Sequence, residues 1–235
     1  MDDLSVRRLT GLAGLAASVL TLIELPLYFV YADAPPQSNV LARTLFGIVG
    51  LTCLVVSMTG FRHLVVAARA GYEWVGALAS AAGLMWVTVV FVSTGLETGA
   101  VIASPTPIDP TIAVPGTYIL YGSISRLLEG LFLLAFGHAA VRTGALPRWA
   151  GRSAYLLALV NLAFVPSLFF GNVPANFYAA NGWGTTATVG ALGMIWLLAV
   201  SVAVLAGCRR HVAVAGTPGR GALSPGDQPG VSHPR

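Results

Sequence analysis

Five charged residues fall within stretches of sequence that are otherwise apolar: Glu24, Arg43, Glu97, Arg126 and Glu129. An ionised side chain at the centre of a lipid-spanning helix costs about 2.5–3.5 kcal/mol on insertion scales. Residues of this kind therefore do one of two things. They neutralise one another and fix the helix register, as Glu24, Glu129, Arg43 and Arg126 could do with a net charge of zero. Or they line a polar cavity that binds a solute or relays protons through Glu24 and Glu129. Both readings stand on the sequence.

Helical spacing places each charge on a face that packs. Arg126 and Glu129 share a face with Gly122, Ser125, Leu133, Phe136, Gly137 and Ala140 at intervals of three and four. Glu24 lines up with Gly14, Ala17, Thr21 and Tyr28, Arg43 with Gly47, Gly50 and Ser57, and Glu97 with Gly76, Ser80, Gly83 and Thr94. Small residues let helices approach closely, and polar ones on the same face avoid lipid. Arg126 and Glu129 can also pair along their own helix. Shared depth and facing predict a further contact, between Glu24 and Arg126 across two helices.

The remaining candidates for chemistry are plain. His63 and His138 lie near helix ends where an axial haem ligand could sit, but each is the only histidine of its helix. A histidine near a helix C-terminus is electrostatically favoured without any cofactor. Asn161 reads as an interhelical hydrogen bonder. Cys53 and Cys208 belong to apolar runs and form neither a disulfide framework nor a zinc pattern. No hydrolase motif and no phosphate loop is present. The sequence therefore predicts no catalytic residue, no metal and no cofactor.

Composition dictates what must position the charges. Of 235 residues, 56% are hydrophobic and only 9% are charged, with a mean hydropathy of +0.77. Soluble domains carry about 25% charge, so the solvent of this chain is expected to be the lipid bilayer. Six stretches reach the roughly 20 apolar residues a crossing requires, at about 9–31, 42–66, 74–96, 117–140, 152–171 and 185–207. The first is too long for the h-region of a signal peptide and is expected to be retained.

All thirteen basic residues are arginine, against nine acids. Arg7 and Arg8 precede the first stretch, Arg62 and Arg69 flank the second turn, and Arg142, Arg148 and Arg152 occupy the fourth. Arg209, Arg210, Arg220 and Arg235 follow the last stretch, whereas the opposite loops carry Asp33, Glu97 and Asp109. The positive-inside rule then predicts both termini in the cytoplasm. Arginines spread in this way form no nucleic-acid patch. A homo-oligomer is compatible with the pattern, and the sequence names no protein partner. Four prolines exclude a regular helix over about 98–116. The aromatic loop at 172–183 reads as an interfacial anchor, with a ligand lid as the alternative. Both turns after the second and fourth stretches place a Trp eleven residues after a His, an echo that two turns at one interface explain.

The run Arg126-Leu127-Leu128-Glu129-Gly130, followed by Leu146-Pro147-Arg148-Trp149-Ala150-Gly151, resembles the DUF4386-like proteins, small bacterial six-helix membrane proteins of unknown function. The opening Leu9-Thr10-Gly11 is similar as well, so the resemblance spans about residues 5–208. It implies a six-helix shape and a bacterial plasma membrane, with an Arg-x-x-Glu pair at Arg126 and Glu129. It implies no activity.

The expectation is thus an all-α bundle of six transmembrane helices over residues 1–208, followed by a disordered cytoplasmic tail at 209–235. Functionally it is read as a non-enzymatic accessory or regulatory membrane protein with a charged core. The alternative is a small-solute or proton-coupled transporter that uses the Glu/Arg cluster.

Overall fold

A computed structural model describes residues 3–215. These residues form helices and turns, with no strand among them. Six helices are long and apolar enough to cross a membrane: Leu4–Phe29, Gln37–Ala68, Ala70–Ala103, Thr117–Thr143, Arg148–Phe170 and Gly184–Cys208. This is the architecture of a multi-pass membrane protein. Large apolar side chains such as Leu45, Met85, Leu96, Leu156, Leu159 and Phe169 cover the outside of the bundle. Such a surface suits lipid and would be unstable in water.

Prolines and glycines set the helix ends. Helix α1 (Asp3–Glu24) tightens into a 3₁₀ turn at Leu25–Phe29, where Pro26 cannot donate the backbone bond that an α-helix needs. Pro36 precedes α2 (Gln37–Ala68). Helix α3 (Glu73–Ala103) runs past Glu97 almost to Pro105. The expectation of an irregular segment from 98 onward is therefore corrected: nothing before Pro105 interrupts the backbone ladder. A single turn, α4 (Pro110–Ala113), follows, with Pro at its start, where its missing N–H costs nothing. Asp109 caps that turn by accepting from the Thr111 amide at 3.0 Å and its hydroxyl at 2.7 Å.

The fourth span is composite. A short α5 (Thr117–Ile119) passes through a π-turn at Leu120–Ile124 into α6 (Ser125–Thr143). Gly122 breaks the helical geometry at φ −85°, ψ −113°, where a Cβ would strike the Ala180 carbonyl. Helix α6 ends on Gly144 at φ 69°, the left-handed conformation usual at a helix C-terminus. Helix α7 (Arg148–Phe164) loosens into a 3₁₀ segment, Val165–Phe170, at Pro166. A second π-turn, Gly184–Thr188, opens α8 (Val189–Ala215). Helix α8 thus continues past residue 208. The first residues assigned to the tail are helical, and 216–235 lie outside the described residues.

The spans are arranged largely in chain order. The most extensive contacts join α1 to α2, α2 to α3, α3 to α6 and α6 to α7, and α8 returns to pack on α1. The joint between α7 and α8 is thin and is bridged by the Trp196 indole, which donates to Ser153 Oγ at 2.9 Å. Small residues set the close approaches. Gly14 faces Ser57 and Ser201, Gly11 faces Leu205, and Gly60 faces Thr10. The first two of these contacts bring the start of α1 beside the end of α8.

Candidate functional site

The interior changes character along its length. Toward the end that holds the start of α1, side chains fill it. Phe61 stacks on Phe136 with centroids 4.2 Å apart, Trp196 meets Phe136 edge-on at 5.0 Å, and Phe132 links Phe136 to Trp86. Toward the other end the helices enclose a cavity of about 520 Å³. Its deep wall is apolar, formed by Leu51, Leu54, Val90 and Met194. Its upper wall carries Glu24, Tyr28, Arg43, Glu97, Asp109 and Tyr121, and the mouth is rimmed by Phe29, Tyr31, Pro174 and Trp183.

Register brings these groups together. Glu24 lies over the bare backbone of Gly47, where a Cβ would sit 2.9 Å from its Oε1, and Thr21 similarly covers Gly50. One turn further, the Arg43 guanidinium lies over the Tyr28 ring at 4.0 Å. The Tyr28 hydroxyl reaches back to Glu24 Oε1 at a long 3.4 Å. Glu97, only 7% exposed, accepts from the Thr117 hydroxyl at 2.9 Å, an arrangement that ties α3 to the start of the fourth span. Neither Glu24 nor Glu97 forms an ion pair among the described residues.

Arg126 and Glu129 form a closed unit on α6. Arg126 Nη1 lies 2.9 Å from Glu129 Oε2 and donates to Asn161 Oδ1 on α7 at 3.1 Å. The ion pair is electrostatic rather than a well-directed hydrogen bond, since Glu129 Oε2 has no hydrogen-bond partner. Asn161 is held in place by donating to the Leu157 carbonyl at 3.0 Å. Glu129 Oε1 faces Gly193 of α8 and borders a second void of about 40 Å³ below the cavity.

Four of the five expected charges, Glu24, Arg43, Glu97 and Arg126, therefore line one cavity, and Glu129 lies just beneath it. The contact expected between Glu24 and Arg126 is not formed. Arg126 Nη1 turns instead to Glu129 and Asn161 on α6 and α7, and Glu24 and Arg126 both line the open cavity. The pairing along α6 and the bridging role of Asn161 are both present.

Sequence reasoning missed Trp86, Asp109 and Tyr121 as lining residues. Trp86 lies in register with Gly83, Thr94 and Glu97 but shows only an apolar ring among apolar neighbours, and Asp109 reaches the cavity from a loop. The 172–183 segment contributes Pro174, Asn181 and Trp183 to the wall, so this aromatic loop covers the mouth. The only signal for that was its density of Asn and aromatic residues.

Several buried donors have no partner among the described residues: Arg43 Nη2, Arg126 Nε and Trp86 Nε1. All three residues line the cavity, and each is at least nine-tenths buried. Buried polar groups are ordinarily satisfied, yet these three atoms are sealed by their own neighbours, with almost no accessible surface toward the cavity. Among the described residues no group of His, Cys, Asp and Glu could hold a metal ion. Comparison with known protein families, with curated proteins and with solved structures returns no match to this chain, so the resemblance to the DUF4386-like proteins rests on its own short motifs.

Proposed function

We propose that this protein binds a small amphiphilic solute in the membrane and acts as a carrier for it. The observation that supports this reading is the cavity of about 520 Å³ whose walls combine apolar residues with Glu24, Arg43, Glu97 and Arg126. Small-molecule sites span roughly 300–1,000 Å³ and join apolar walls to a few placed polar groups. A bundle that used its charges only for packing would have closed around them. The arginine distribution supports placing both chain ends in the cytoplasm of a plasma membrane, with the mouth of the cavity outside.

One observation favours a second reading, an accessory protein whose charges serve packing. The Arg126, Glu129 and Asn161 unit neutralises its own charge and clamps α6 to α7. That reading accounts for this unit but leaves Glu24 and Glu97 to share the one charge of Arg43, with no ion pair formed among the described residues.

Gly190 offers the test. It lines the cavity, and a Cβ there would meet nothing within 4 Å, so the side chain of Gly190→Trp starts out in open space and takes up part of the cavity. A thermal-shift screen of cationic, anionic and neutral amphiphilic solutes is expected to give compounds that stabilise the native protein and not the filled variant. Those compounds are then expected to cross proteoliposome membranes that contain the native protein. Identical responses of the two proteins across the whole set would overturn the binding reading. Binding without flux would replace the carrier with a receptor or accessory role.

A further inference from the structure

We infer that the Arg126 and Glu129 pair is a proton-operated element set in the floor of the cavity. Glu129 takes its proton through the narrow void below, and Arg126 presents the resulting charge to the solute. The inference rests on the solute-binding reading and adds a control to that site.

The pair straddles a partition. Leu54, Trp86 and Met194 line both the cavity and the void beneath it, and so separate the two spaces. Arg126 lines the cavity, Glu129 lines the void, and the two meet across 2.9 Å. Among the described residues that line the void, Glu129 is the one ionisable group. The neighbouring elements bring uncharged groups to it: Asn161 from α7, Gly193 from α8, Trp86 from α3 and Ser57 from α2. The state of Glu129 therefore decides whether the charge of Arg126 is compensated.

The void leads from Glu129 toward the end that holds the start of α1. Glu129 Oε1 faces Gly193. Eight positions further along α8, about 12 Å along the axis, Ser201 and Ser57 of α2 converge on the bare backbone of Gly14. These serines line the void and are 3% and 7% exposed. Neither hydroxyl has a hydrogen-bond partner among the described residues, and neither is among the polar atoms sealed from all space. Thr10 comes next in the lining. Its hydroxyl donates to the Val6 carbonyl at 2.7 Å, and its lone pairs can still accept.

Buried hydroxyls are ordinarily satisfied, and two that open on one void call for water. A buried water needs about 10–15 Å³ and two to four polar partners, so the void of about 40 Å³ takes roughly three. At a hydrogen-bond spacing of about 2.8 Å, three waters bridge about 11 Å, close to the span from Gly193 to Ser201. The walls between, including Phe132, Leu197 and Val200, are apolar, so the chain is held at its two polar ends. Along it a proton passes from water at the far end to the Glu129 carboxylate, which becomes a neutral carboxyl, and it leaves by the same path. The pair goes from net zero to +1, and the added charge is that of Arg126, beside the solute. Coupling is reciprocal, so an anionic group in the cavity favours the protonated form in turn.

Two measurements on the full chain in nanodiscs test this without knowledge of the solute. The first is infrared spectroscopy after a rapid drop in pH. A carboxyl band is expected to rise that shifts in Glu129→Asp and vanishes in Glu129→Gln. Ser57→Val with Ser201→Val is expected to slow its rise about tenfold, as loss of one hydrogen bond at the barrier would, without lowering its final height. Absence of such a band while the protein stays folded, or an unchanged rate in the double variant, overturns the inference. The second measurement reads the cavity. Gly190→Cys, in a background of Cys53→Ala and Cys208→Ala, is labelled with anionic, cationic and neutral thiol reagents. Glu129→Gln leaves Arg126 uncompensated and is expected to raise the ratio of anionic to cationic labelling about tenfold at neutral pH. Unchanged neutral labelling shows the chamber to be intact, and Glu129→Asp is expected to keep the native ratio. A ratio that Glu129→Gln does not move overturns the coupling. Either failure leaves the binding reading standing, which falls only if native protein and Gly190→Trp respond identically in the solute screen.

Discussion

The two ends of this bundle are built from the same helices yet treat their interiors in opposite ways. At one end Phe61, Phe132, Phe136 and Trp196 interlock, and Gly137 of α6 meets Gly151 of α7 so closely that a Cβ at 137 would lie 2.9 Å from the Gly151 carbonyl oxygen. At the other end glycines face empty space or a carboxylate: nothing approaches a Cβ at Gly190, and Glu24 occupies the place beside Gly47. Lipid provides no hydrophobic drive to bring helices together, so association depends on packing and interhelical hydrogen bonds. Concentrating that packing at one end lets the other hold a cavity and carboxylates without losing the bundle.

The sharpest contrast should come from the two arginines. Arg126 is locked between Glu129 and Asn161, so Arg126→Leu leaves Glu129 buried and uncompensated. Breaking one side of such a pair typically costs about 3–5 kcal/mol. Arg43→Leu loses a ring contact in an open chamber and is expected to cost about 1 kcal/mol. Unfolding of the detergent-solubilised variants measures both. The double variant Arg126→Leu/Glu129→Leu should recover most of the first loss, because two apolar side chains leave no charge behind. Equal costs for the two arginines would erase the distinction between the closed unit and the open cavity.

That distinction marks the limit of what the sequence discloses. The six spans were legible because a crossing helix needs a long apolar run. The i, i+3 pair Arg126 and Glu129 was legible because it lies on one helix. Tyr28 above Glu24, and Gly47 on the face of Arg43, announced which faces meet. Distances across the bundle were not legible. Periodicity shows that Glu24 and Arg126 both point inward, but it does not say whether their helices close or splay, and here both groups line one cavity without meeting. Trp86 and Asp109 escaped for a related reason: one is an apolar residue whose only polar atom is a ring N–H, the other reaches the wall from a loop.

The glycines give a second contrast, smaller and opposite in sign at the two ends. Gly137→Ala drives a methyl group toward the Gly151 carbonyl, a backbone atom that cannot rotate away, and overpacking of this kind costs about 1–3 kcal/mol. Gly190→Ala adds a methyl group to open space and removes the flexibility penalty of glycine in a helix, a gain of about 0.5–1 kcal/mol. Melting temperatures should move down for the first and up for the second. A fall for Gly190→Ala would mean that the cavity end is closed in the working protein.

The smallest effect concerns the thin joint between α7 and α8. Trp196 contributes there in two ways, through its edge-on contact with Phe136 and through its N–H bond to Ser153. Trp196→Phe keeps an aromatic ring against Phe136 and removes the donor. Ser153 is not orphaned by the change, because its hydroxyl still donates to the Trp149 carbonyl at 2.7 Å. The cost should therefore be that of one hydrogen bond with no stranded partner, about 0.5–1.5 kcal/mol. Ser153→Ala strands the buried Trp196 N–H and should cost more, about 1–3 kcal/mol, and the double variant no more than Ser153→Ala alone, since both remove the same bond. Additive losses would show that the two side chains act separately, and that packing alone holds α8 to α7. The joint would then be the place where the bundle can part most readily, at the same end as its aromatic core, and the contrast between a closed end and an open one would have to be redrawn.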